Sequence, residues 1–162
     1  MTIKKGTVVF ETTQLDVTDP GYDKDVWCRI KVDIVPGEYI YKAYIRKIKN
    51  YGNRVTQLSI INVSAKSRAR IGKLVGEIGV DAGLAGFFEN KPDYDFEQWP
   101  KICDMLEDNS FVYEAKKDNE LRCNGVFSSS GLGDGCYPVY ELLDWKDTHM
   151  RWAHPSSQHA ER

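Results

Sequence analysis

Apolar and polar residues alternate over 26–35. Cys28, Ile30, Val32 and Ile34 fall on one side, and Arg29, Lys31 and Asp33 on the other. A period of two marks a strand with one wet face. Pro36 and Gly37 then supply a turn. Over 38–47 the residues Tyr39, Tyr41, Ala43 and Ile45 share a face, and tyrosine and isoleucine suit a half-buried pleated surface. Asn50-Tyr51-Gly52-Asn53 forms the next turn, and 54–63 reads as a third strand. Three such runs with short connections predict an antiparallel meander.

The charged stretch 64–73, with Lys66, Arg68, Arg70 and Lys73, reads as a solvated connection. Over 74–88 the chain is apolar but holds Gly76, Gly79, Gly83 and Gly86. Each glycine would cost a helix about 1 kcal/mol, so strands joined by a tight turn fit better. One segment has helical spacing. Phe96, Trp99, Ile102, Cys103 and Leu106 fall on one face, Asp95 can cap the start, and Gln98 stands three residues later as in a capping box. Pro100 lies near the first turn, where a missing N–H costs little. Strands return at 125–129 and 136–145, and Pro138 points to an edge position or a strand start. The pattern predicts a mainly β (α+β) fold. It would be an antiparallel β-sandwich or partly open barrel, with one main helix near 95–107.

The chain has 162 residues, the size of one domain. No linker divides it, so 1–150 is expected to form a single β-rich domain and 151–162 a flexible tail. Apolar residues make up 41% and charged ones 28%, a globular balance. The net charge of −2 argues against broad nucleic-acid binding, which requires a basic surface to displace counterions. No apolar run approaches the 18 residues or so of a membrane span, and 1–10 lacks the apolar stretch of an export signal. The expected location is the cytoplasm.

Cys28, Cys103, Cys123 and Cys136 form no C-x-x-C pair, so zinc-ribbon spacing is absent. In a reducing compartment they are expected to be free thiols, some packed as small apolar groups. His149, His154 and His159 all lie near the C-terminus.

Three acidic, turn-forming segments could carry chemistry: 16–25, with Asp19 beside Pro20 and Gly21; 79–83, with Asp81; and 128–135, with Asp134 between Gly133 and Gly135. Carboxylates on irregular backbone can converge on a hard cation, magnesium or calcium, so Asp19, Asp81 and Asp134 are the candidate metal ligands. Aspartate beside glycine or proline is equally a turn former that bonds its own backbone. None of the segments has EF-hand spacing, and the serine run lacks the G-K-[ST] ending of a P-loop. There is no G-x-S-x-G elbow.

The segment from Gly79 to Phe88, GVDAGLAGFF, and the later Ser130-Gly131-Leu132-Gly133-Asp134-Gly135-Cys136-Tyr137-Pro138-Val139-Tyr140 resemble an uncharacterised bacterial and phage group. That group has a VDAG-type motif and a later SG-x-GDG-x-YPVY motif. Pro36-Gly37-Glu38-Tyr39 and Arg54-Val55 resemble its upstream strands, so that the resemblance covers about 16–145. It implies a β-rich fold and a bacterial or phage origin, and carries no activity. Two functional classes compete. The first is a small non-catalytic binding module with a protein partner: a regulator, an immunity-type inhibitor or a phage accessory protein. The second is a divalent-metal hydrolase in which the three aspartates would activate water. The missing catalytic signatures favour the first.

Overall fold

A computed structural model describes residues 1–65, 70–106, 110–143 and 148–153. In chain order the strands are Thr2–Phe10 (β1), Gln14–Thr18 (β2), Ile30–Asp33 (β3), Gly37–Ile48 (β4), Gly52–Asn62 (β5), Arg70–Val80 (β6) and Leu84–Glu89 (β7). The helix Gln98–Asp104 (α1) follows, then Val112–Ala115 (β8), Asn124–Ser129 (β9), Gly135–Leu143 (β10) and Thr148–Ala153 (β11). They build two antiparallel sheets that do not close into a barrel. The larger runs β1-β4-β5-β11-β10-β6, and the smaller runs β3-β2-β7-β9-β8. The fold is therefore mainly β, as the alternation predicts. Among the described residues no helix is long and apolar enough to cross a membrane.

The sheets face each other across the main core. The larger contributes Phe10, Tyr39, Tyr41, Leu58, Ile60, Ile78 and Val139, and the smaller contributes Leu15, Val17, Val32, Phe87 and Val126. The period of two then gives the smaller sheet a second apolar face. Phe88 and Phe127, the neighbours of Phe87 and Val126, point outward. They meet Ile102 of α1, with Leu121, Cys123, Trp99 and Tyr113 around them. Close approach requires glycine here: a Cβ on Gly86 would run into the Val126 carbonyl and Phe127 of the adjacent strand.

The expected meander needs correction. Of its three strands β4 and β5 pair with each other, whereas β3 pairs with β2 in the other sheet. The bend at Pro36 and Gly37 carries the chain from one sheet to the other, and the Tyr39 hydroxyl donates to the Val35 carbonyl across it at 2.7 Å. Alternation reports which face is wet but not which strand lies beside it. Likewise 26–29 belong to a loop. The helix is shorter than the apolar stripe predicts, because Phe96 lies before it and is fully exposed, as Cys103 is also exposed. The cap is as read: Asp95 Oδ1 accepts from the Glu97 and Gln98 amides at 2.9 Å each, and the Gln98 side chain accepts from the Asp95 amide at 3.0 Å.

Pro138 lies inside the larger sheet, facing Glu77 of β6, but the ladder to β11 begins only at Val139. On its β11 side Pro138 therefore stands at an open edge, where a proline is tolerated. Strands β1, β2, β8 and β11 have no counterpart in the pattern reading, and β11 includes 151–153 of the expected tail. Residues 154–162 lie outside the described chain, as do 66–69 of the charged connection; Arg70 to Lys73 belong to β6. The four cysteines are unpaired, and only Cys123 is buried.

Candidate functional site

Strand β2 ends in Thr18 and runs into Asp19, which is fully buried. Asp19 Oδ1 accepts from the Gly21 amide at 2.7 Å, and Oδ2 accepts from the Asp81 and Ala82 amides at 2.8 and 2.6 Å. One carboxylate thus turns its own chain and ties it to the turn 81–83, which connects the two sheets. Burial outweighs the three donors and, with the nearby charge of Asp81, raises the Asp19 pKa above the ordinary carboxylate value.

The third acidic segment abuts the same turn. The Ser130 amide donates to the Gly83 carbonyl at 2.9 Å, and Gly135 pairs with Val80. The Ser130 and Tyr137 hydroxyls both donate to the Gly133 carbonyl, which closes the loop tightly. All three segments therefore gather at one end of the sandwich. Their carboxylates have different surroundings: Asp19 is spent on backbone amides, Asp81 is exposed beside it, and Asp134 is exposed with its charge felt by Tyr137. Among the described residues no group of three or more histidines, cysteines or acids is placed to hold a metal ion.

What this end does contain is a cavity of about 690 Å³ between the loop 19–29, the turn 81–83 and the segment leading into α1. Asp19, Asp23, Asp81 and Asp95 line it, together with Tyr22, Tyr94, Phe96 and Trp99. Among the described residues no lysine or arginine lines it, although the Arg122 guanidinium lies 5.9 Å from the Tyr94 ring centroid. Asp134 is absent from its wall. Among the described residues no hydrogen bond or salt bridge holds the carboxylates of Asp23 and Asp81, although the charge of Asp23 is felt by the Lys91 ammonium, whereas Asp95 is occupied as the helix cap.

The walls are well braced. Trp99 and Tyr94 stack with centroids 6.5 Å apart and planes at 29°. Trp99 also packs over Gly21, where a Cβ would lie 3.2 Å from both the indole and Asp19. The Tyr94 hydroxyl donates to the Leu121 carbonyl at 2.6 Å. Behind the wall sits the buried Lys91. Its ammonium donates to the Tyr22 and Pro92 carbonyls at 2.9 Å each and lies 4.6 Å from the Tyr94 ring centroid. Desolvation, helped by the charge of Arg29, lowers its pKa to about 8. The loop 19–29 is fixed at its far end too: Arg29 bridges to Asp16 at 3.1 Å, and the Cys28 carbonyl accepts from the Gly79 amide at 2.9 Å. The Tyr22 hydroxyl meets the Cys28 thiol. Desolvation, that contact and the charges of Asp19 and Asp81 push its pKa up to about 12, so it remains a neutral phenol.

Of the three candidate aspartates, Asp19 and Asp81 line this cavity and Asp134 does not; Asp23 is not singled out, Asp95 reads in sequence as a helix cap, and the aromatic half is missed. The signal was present, as Asp93-Tyr94-Asp95-Phe96 alternates acid and ring beside the helix cap. Reading 96–106 as one buried stripe hid it. No protein family, no curated protein and no solved structure matches the chain.

Proposed function

We propose that the protein is a binding module, a regulator, inhibitor or accessory component, whose recognition site is this acidic, aromatic cavity and whose ligand presents a positively charged organic group. The lining supports this reading: four aspartates and four aromatic rings, with no basic side chain among the described lining residues. A guanidinium or ammonium entering the cavity finds the open carboxylates of Asp23 and Asp81 and ring faces beside them. Charge-assisted hydrogen bonds and cation–π attraction both strengthen where water is partly excluded. An anionic ligand would face the exposed carboxylates, against which Lys91 and Arg122 at the Tyr94 ring are the opposing charges. The reading assigns binding and no reaction step.

The test is calorimetric titration with N-acetyl-arginine amide and with its citrulline analogue, which has nearly the same shape and no charge. The charged probe should bind and the neutral one should not. Replacing the exposed Asp81 by asparagine should weaken binding roughly tenfold, the size of one charge-assisted hydrogen bond. Equal binding of the two probes would overturn the proposal.

A further inference from the structure

Two features around the cavity exceed what a small cation needs. The first is charge. Asp23, Asp81 and Asp95 of its lining and Asp25, Asp93 and Glu97 beside them in the chain are all exposed, and among the described residues the exposed Lys24, Lys101 and Arg122 are the basic side chains near them. A single guanidinium can satisfy two or three carboxylates, not a rim of six. The second is apolar exposure. Phe96 is 100% exposed at the rim and Trp27 is 90% exposed on the loop 19–29. Trp27 does not line the cavity, so no ligand confined there covers it. Large aromatics are enriched at protein interfaces and depleted from idle surface, because covering them removes apolar area at small entropic cost.

Resting on the reading of the cavity as a cation site, we infer that its partner is an extended basic segment of another protein. One arginine or lysine side chain of that segment enters between Asp23 and Asp81. Neighbouring basic residues face Asp25, Asp93 and Glu97, and apolar residues between them cover Phe96 and Trp27. The complementarity is of charge at the rim and of apolar area at the two rings. The same acidic rim disfavours a nucleic acid or an anionic membrane as the partner.

The experiment compares N-acetyl-arginine amide with a short unstructured peptide in which arginines alternate with apolar residues. It uses wild type, Trp27→Ser and Asp25→Lys, two exposed positions outside the cavity, each variant first shown to melt like wild type. The peptide should bind at least roughly tenfold tighter than the amide, and each variant should lose most of that gain while binding the amide as wild type does. If peptide and amide bind alike and the variants change nothing, the extended partner is overturned and the small-cation site stands. If neither probe binds, both readings fall. If the peptide binds equally well when its arginines are citrulline, or when Asp81 is asparagine, its contact lies elsewhere and the inference is wrong.

Discussion

At the scale of residues, two aspartates that look alike in sequence have opposite duties. Asp19 holds three amides from two segments inside the protein, while Asp134 is exposed at the tip of its loop. An asparagine at 19 offers one acceptor oxygen and turns an N–H₂ toward donors already in place. Asp19→Asn should therefore cost about 2 kcal/mol, and Asp134→Asn no more than about 0.5 kcal/mol, both read from denaturant melts. Equal costs would show that Asp19 is not the clamp. Lys91 gives a second prediction, with a definite sign. Its folded pKa of about 8 lies below its ordinary 10.5, so the unfolded chain binds the proton more tightly. Stability should rise with pH above 8, by about 1 kcal/mol at pH 9. Beyond that, the Cys123 thiol and the phenols of Tyr22, Tyr94, Tyr41 and Tyr137, all with raised values in the fold, lose stability as the unfolded chain ionises first. Lys91→Met should abolish the rise below pH 9 and leave the later fall. A wild-type melting profile that is flat from pH 7 to 9 would contradict the assignment.

At the scale of elements, the legible parts are those whose pattern is local. The alternation of Val32 and Ile34, the face of Tyr39, Tyr41, Ala43 and Ile45, and the cap made by Asp95 and Gln98 all hold. What fails is the assignment of neighbours. A bend at Gly37 and a turn at Asp81-Ala82-Gly83 each pass the chain between sheets, and nothing in a period of two distinguishes that from a hairpin. The strands that went unread are the ones whose partners are distant. The edge strand β1 pairs only with β4, and β2 is hidden in a segment that reads as acidic loop. Its Asp16 is buried against Arg29, a polar residue at a strand position that breaks the expected alternation. Strand β6 adds a device for its own edge. Ile71, Leu74 and Val75 are exposed there, and two register shifts against β10 bend the strand. Such bulges twist an exposed edge away from pairing with another chain.

At the scale of the molecule, both sheets and the helix layer deliver loops to one end, and that end is acidic. The spacing of Asp19, Asp81 and Asp134 in sequence invites a shared divalent cation. The assembled fold uses Asp19 to hold the end together and leaves Asp81 and Asp23 open to the cavity. Calcium asks for about six to eight oxygen ligands, and magnesium for a near-octahedral set, whereas a lone pair of exposed carboxylates mainly feels ionic strength. These open charges repel one another, and salt screens that repulsion over about 10 Å at 0.1 M. Melting in sodium chloride, magnesium chloride and calcium chloride at matched ionic strength separates the two cases. Screening predicts the same small upward shift of Tm in all three, unchanged by chelator and reduced in Asp81→Asn, which has less repulsion to relieve. A bound cation predicts an extra shift that grows with its concentration by mass action. An extra calcium or magnesium shift, lost in both Asp81→Asn and Asp134→Asn, would restore the metal centre and displace the cation-recognition reading. We expect the matched curves to coincide.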